Sequence, residues 1–174
     1  MGTDCRIRAA ESATCMRIHE LTSDECHELL SRSTMGRLAC ARNNQPYIVP
    51  IQFSYDSERR CLYAFSTIGQ KIAWMRENPK VCVEVDDITN KNVWTTVLVF
   101  GWYEEINRAT AEADARGRAD VLFDERDEWW LPAAATVGSR EHQGMLVYRI
   151  RIDQVTGRRA ARRNSVDPRE NPPG

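Results

Sequence analysis

The chain has 174 residues, 42% hydrophobic and 28% charged, with a formal net charge of −1 at pH 7. That length suits one domain with a proper core plus tails, and the mixed, nearly balanced charge gives no field for nucleic acid or an anionic membrane. No apolar run approaches the roughly 18 residues of a membrane span and the N-terminus lacks a signal-peptide core, so a cytoplasmic protein is expected, its partner a small molecule or a second copy of itself.

Residues 1–15 lack apolar periodicity and read as an extension, with the fold beginning near Met16. Thr22-Ser23-Asp24-Glu25 spells a capping box, Leu21 and Cys26 suit a hydrophobic staple, and Leu29 and Leu30 continue the stripe of a helix over Ser23 to Ser33. Gly36 ends it. Arg37 to Ala41 reads as a strand, Asn43-Asn44-Gln45-Pro46 as a turn, and Tyr47 to Tyr55 as a second strand, whose Pro50 calls for an edge position or a bulge. Asp56 to Arg59 makes a hairpin loop to a third strand, Cys61 to Ser66, and three consecutive antiparallel strands are the simplest arrangement.

A helix of about two turns around Ile72 and Met75 stops at Asn78-Pro79. Val81 to Val85 alternates as a strand, Ile88 to Asn92 is polar and turn-like, and Val93 to Ile106 is a long strand whose Gly101 invites a bulge. Arg108 to Phe123 suits a helix, Trp129-Trp130-Leu131-Pro132 a bulky loop anchor, and Met145 to Ile152 a final alternating strand. From Gly157 onward Arg158-Arg159 and Arg162-Arg163 lead into a proline-rich end, read as a solvated tail. The expected organisation is an extension (1–15), one domain (16–157) and a flexible basic tail (158–174). Strands joined mostly by short connections predict a mainly β, α+β architecture: an antiparallel barrel with helices packed outside.

The six cysteines, Cys5, Cys15, Cys26, Cys40, Cys61 and Cys82, include no CxxC and suggest neither a disulfide framework nor zinc. Cys40, Cys61 and Cys82 lie in strand patterns and read as core. His19, His27 and His142 read as exposed or capping residues, so no metal site is expected.

One segment carries chemistry. Leu62 to Thr67 runs as a strand into two hydroxyls, Ser66 and Thr67, then Gly69, Gln70 and Lys71, then the helix. A helix N-terminus offers free backbone N–H groups and the positive end of a dipole, hydroxyls donate, glycine lets backbone approach, and lysine supplies charge. Such a turn suits a bound phosphate. It also suits a plain strand-to-helix turn in which Ser66 or Thr67 caps the helix and Lys71 is a solvated surface residue.

In order, the capped helix, Gly36-Arg37-Leu38-Ala39, Pro46 to Ile51, Leu62 to Thr67 with Gly69-Gln70-Lys71, Glu77 to Cys82 and Trp94-Thr95-Thr96-Val97 resemble the pyridoxamine 5′-phosphate oxidase-like flavoproteins. The similarity is to the flavin-nucleotide-binding branch that includes nitroimidazole-resistance proteins, and it spans roughly Met16 to Gly157. This resemblance implies a split β-barrel homodimer with FMN at the subunit interface. It implies that Ser66, Thr67, Gly69, Gln70 and Lys71 hold the phosphate, and that the flavin ring lies against Arg37, Leu38, Ala39, Pro50, Ile51, Gln52 and Phe53. Arg37 would stabilise charge on the reduced flavin, and Trp94, Thr95 and Thr96 would approach the flavin from the partner chain. The implied activity is electron transfer from reduced FMN to a small organic acceptor such as a nitroaromatic or quinone. A non-catalytic flavin or haem binding or sensing protein on the same barrel is the alternative. No catalytic acid or base is visible. Phe65 stands where the branch often has histidine, and Arg140-Glu141-His142 matches the Arg-x-His of true pyridoxamine phosphate oxidases only within a poorly matching loop.

Overall fold

A computed structural model of the chain describes residues 16–106, 117 and 145–162. Strand β1 (Met16–Glu20) leads to helix α1 (Ser23–Arg32), whose start is the capping box the sequence spells. The Glu25 amide donates to Thr22 Oγ1 at 3.3 Å, and the Thr22 amide donates back to the Glu25 carboxylate at 2.9 Å. Cys26, Leu29 and Leu30 are the face that α1 buries. Ser33 then turns extended and closes the helix.

Strands β2 (Met35–Arg42) and β3 (Gln45–Gln52) form a hairpin over Asn43 and Asn44, with φ of 49° and 62°. Asparagine tolerates this left-handed region, and a two-residue turn of this kind matches the twist of paired strands. Strands β4 (Ser54–Asp56) and β5 (Cys61–Thr67) form the next hairpin, where the Asp56 carboxylate accepts from the Glu58 and Arg59 amides, each at 3.0 Å. Helix α2 (Gln70–Glu77) buries Ile72 and Met75 and lays Trp74 against Tyr47, with ring centroids 5.5 Å apart. Strands β6 (Lys80–Asn90), β7 (Val93–Glu105) and β8 (Met145–Arg162) complete the sheet.

All pairings are antiparallel, in the order β3-β2-β6-β7-β8-β5-β4, with β1 on β8. The inner face carries the core, including Leu38, Phe53, Leu62, Val83, Val97, Tyr148 and Ile150, with α1 and α2 adding Leu30, Ile72 and Met75. This is the mainly β, α+β class expected. Pro50 lies on β3, at one end of the sheet order, where a missing N–H is tolerated. The β7–β8 register shifts at Phe100/Gly101, as the glycine suggested, and a Cβ on Gly101 would run into the Arg151 carbonyl. Among the described residues no helix is long and apolar enough to cross a membrane.

Three expectations need correction. The third strand does not continue a meander. At Phe53, whose amide donates to the Thr34 carbonyl at 2.9 Å, the chain leaves β3, and β5 pairs with β8 over all seven of its residues. The segment from Ile88 is not yet a turn, because β6 stays paired with β7 to Asn90 and only Lys91-Asn92 turn. Nor does the basic tail begin at Arg158. Residues 158–162 are strand, paired with β1 from Glu20 back to Met16, and Arg158 and Arg159 find carboxylates at Glu20 (3.6 Å) and Glu25 (3.1 Å). The expectations for 1–15, the helix over 108–123, Trp129 to Pro132, Arg140 to His142 and the end of the chain lie outside the described residues.

Candidate functional site

Strand β5 delivers Ser66 and Thr67 to the rim, and the chain crosses Ile68 and Gly69 into α2. Gly69 is the N-cap with extended backbone, and among the described residues no side chain caps the helix; the Ser66 hydroxyl donates instead to the Thr67 carbonyl at 2.8 Å. The capping reading of Ser66 and Thr67 is therefore not realised. The first intrahelical bond runs from the Ala73 amide to the Gly69 carbonyl at 3.0 Å, which leaves the amides of Gln70, Lys71 and Ile72 at the open end of the dipole. Thr67, Gly69 and Gln70 are exposed, and the space over Gly69 is open.

Lys71 is half-buried, not a solvated surface residue. Burial pulls its pKa down, opposed by the Cys40 thiol beside it, and among the described residues no carboxylate acts on it. Burial likewise pushes the Cys40 thiol up, with Lys71 pulling the other way. A partly desolvated ammonium without a carboxylate is poorly satisfied and gains from an anion. The Thr67 hydroxyl, the Gln70 amide, the open backbone N–H groups and this ammonium are donor types that fit a phosphate, which the Ser66 hydroxyl could join only by leaving the Thr67 carbonyl.

The other site residues obey strand alternation. Arg37 pairs in register with Pro50 on one side and Glu84 on the other. Arg37, Ala39, Pro50 and Gln52 therefore share the outer face, while Leu38, Ile51 and Phe53 are buried on the inner one. A group lying on the outer face meets the first set by side chain and the second only by backbone. Arg37 is engaged already, 2.5 Å from Asp86 and 3.5 Å from Glu84. Hydrogen bonding and charge from Asp86, then charge from Glu84, push its pKa up.

Trp94 and Thr96 also lie on the outer face, but Thr95 turns inward, where its hydroxyl accepts from Arg159 Nε at 3.3 Å. Strand β6 separates β7 from β2, so Trp94 and Thr96 do not adjoin Arg37 within one chain. Thr96 and Leu98 instead line a groove of about 430 Å³ with Leu21, Thr156 and Arg158. Sequence reading missed Cys40 beside Lys71, and Asp86 and Glu84 around Arg37. The alternating acids of β6 were visible, but only the β2–β6 register shows which cation they meet.

The chain matches the family model described as pyridoxamine 5′-phosphate oxidase over residues 22–159. It belongs to that family. A curated relative from Rhizobium meliloti (strain 1021), described as uncharacterized protein RA0666, is 34% identical over 148 residues, covering 83% of this chain and 97% of the relative. Among solved structures, a FAD-binding protein from Mesorhizobium loti is 36% identical with a TM-score of 0.69, over 84% of this chain and 99% of that one. The FAD binding protein of Mycobacterium smegmatis, at 22% identity, shares the fold with a TM-score of 0.59, over 83% and 98% of the two chains. The architecture is thus the split barrel of a flavin-binding family.

Proposed function

We propose that this protein binds a flavin nucleotide, FMN in the first instance, with its phosphate at the N-terminus of α2. The observation that carries this reading is the α2 N-terminus, uncapped among the described residues, beside a half-buried Lys71 that no carboxylate of the described residues neutralises. The exposed Gly69 and Gln70 leave room for a longer phosphate chain, and the Mesorhizobium loti relative is a FAD-binding protein, so FAD belongs in the same test. Lys71 holds the phosphate charge, Ser66, Thr67 and Gln70 orient it, and the outer face of β2 and β3 forms a wall for the ring.

The functional unit in this reading is a homodimer. Met35, Ile48, Phe100, Ile88 and Ile18, exposed by 41–66%, fall on the same face of the sheet by register. Exposed apolar side chains gathered on one face favour a partner surface, and a second copy would bring Trp94 and Thr96 to the flavin that one chain alone keeps apart. Bound flavin supplies the redox chemistry, carrying electrons to a small acceptor of the nitroaromatic or quinone kind. The protein binds, orients and excludes water.

The test is an absorption spectrum after saturation with FMN or FAD and removal of unbound ligand, followed by anaerobic NADH or NADPH. Retained flavin that bleaches supports an oxidoreductase. Retained flavin that stays oxidised with either nucleotide favours a carrier or sensor, and no retained flavin removes the assignment.

A further inference from the structure

A polar cluster that the flavin reading does not use ties α1 to the β4–β5 hairpin. His27 Nδ1 lies 2.8 Å from Tyr55 Oη, and His27 Nε2 lies 2.9 Å from a terminal nitrogen of Arg60. The His27 and Tyr55 rings are stacked, with centroids 5.7 Å apart and planes 7° from parallel. Tyr55 is buried and His27 half-buried, so the contact is more than a passing surface pair.

The chemistry fixes the tautomer. A guanidinium can only donate, so Nε2 must carry a lone pair; the ring is neutral, and its one proton sits on Nδ1 and is donated to Tyr55 Oη. Both ring nitrogens are therefore satisfied in the neutral state alone. A proton arriving on Nε2 would set two N–H donors and two positive charges face to face.

We propose that His27 is a pH-sensitive clasp, fastening α1 to the β4–β5 hairpin when neutral and releasing it when protonated. Among the described residues two charged groups act on the ring: Arg60 from the hairpin opposes protonation, and Asp24 from α1 itself favours it. Burial is the largest influence and acts with Arg60, holding His27 below its ordinary 6.5. Tyr55 is pushed up by burial, and by Asp56 and Cys61 on its own hairpin, against Arg60. It stays a neutral phenol across the range in which the clasp works. Strand β8 meets this corner through backbone, the Ile152 amide donating to the Arg60 carbonyl at 3.2 Å.

The direction follows from linkage. His27 has a lower pKa folded than unfolded, so the clasp stabilises the protein above about pH 6.5, and that stabilisation is lost as pH falls through the lower folded value. Arg60, exposed and held at φ 51° by the turn, is the partner free to swing away.

The test is an NMR titration of the imidazole resonances of the full chain, with His27 assigned from His27→Asn, together with thermal unfolding and α1 amide exchange across the same pH range. The expected result is a His27 that titrates below 6.5 in the native protein and moves upward in Arg60→Met. The stability gap between native protein and Arg60→Met should be widest above about pH 7 and shrink toward pH 5, while exchange of the α1 amides, corrected for intrinsic rate, quickens in the native protein alone. A His27 that titrates at 6.5 or above, or one that Arg60→Met leaves where it was, overturns the proposal. If His27→Asn does not fold, Arg60→Met and Tyr55→Phe carry the same comparison.

Discussion

The Arg37 guanidinium lies 2.5 Å from the Asp86 carboxylate, two residues along β6 from its register partner Glu84. This outer-face cation of β2 is thus already matched by two acids. Arg37→Ala should change FMN affinity by less than about threefold, because an exposed, paired charge has little attraction left to lose. Titration of flavin fluorescence checks this, and a loss of tenfold or more would show that Arg37 reaches the flavin despite its partners.

Lys71 makes a prediction of opposite sign for stability and for binding. Its ammonium is half-buried beside Cys40 with no carboxylate among the described residues, so Lys71→Met should leave the thermal midpoint of flavin-free protein unchanged or higher. Its lowered pKa means that the folded state disfavours the protonated amine, a cost removed as pH rises through the folded value. FMN affinity should move the other way, falling as the medium turns alkaline and the amine loses its proton. A clear drop in the flavin-free midpoint would show that Lys71 has a structural partner.

Gly36 is a packing requirement. A Cβ there would sit 2.9 Å from the Glu84 carbonyl oxygen, 3.1 Å from Val83 Cγ1 and 3.2 Å from Phe53 Cε1. The first of these is backbone of β6 and has little room to give. Gly36→Ala should therefore cost about 1–3 kcal/mol in chemical denaturation. An unchanged midpoint would mean that β2 and β6 can separate at this point.

Acid sensitivity should gather where α2 meets β7. Glu105 accepts from Arg76 Nε at 2.5 Å and from the Tyr103 hydroxyl at 2.8 Å. The Arg76 bond, more than burial opposes it, holds Glu105 below the usual carboxylate value. Stability from this contact is present above about pH 4.5 and lost as pH falls through the lower folded value. Arg76→Ala should therefore lose more stability near pH 6 than near pH 3, as measured by urea denaturation at each pH. A gap that stays constant with pH would place Glu105's stabilisation elsewhere.

The parts of the fold that rest on neighbours in sequence were legible. The capping box at Thr22 and Glu25, the stop at Asn78, the bulge at Gly101 and the edge position of Pro50 each follow from local chemistry. What was not legible depends on distant partners. Nothing in Cys61 to Thr67 names β8 as its neighbour, and Arg158 to Arg162 look like a tail until β1 and β7 are seen pairing with β8 on either side. The same division holds at the candidate site. The donor run from Ser66 to Lys71 is local and visible, whereas the inward turn of Thr95 and the capture of Arg37 by Asp86 follow from register.

The most direct measurement compares FMN with riboflavin, which differ only in the phosphate, by fluorescence titration of the native protein and of Lys71→Ala. The account predicts that the native protein binds FMN at least about tenfold more tightly than riboflavin, and that Lys71→Ala lowers FMN affinity about tenfold or more while leaving riboflavin nearly unchanged. Equal binding of the two ligands by the native protein, or a Lys71→Ala variant that keeps the full preference for FMN, would contradict it.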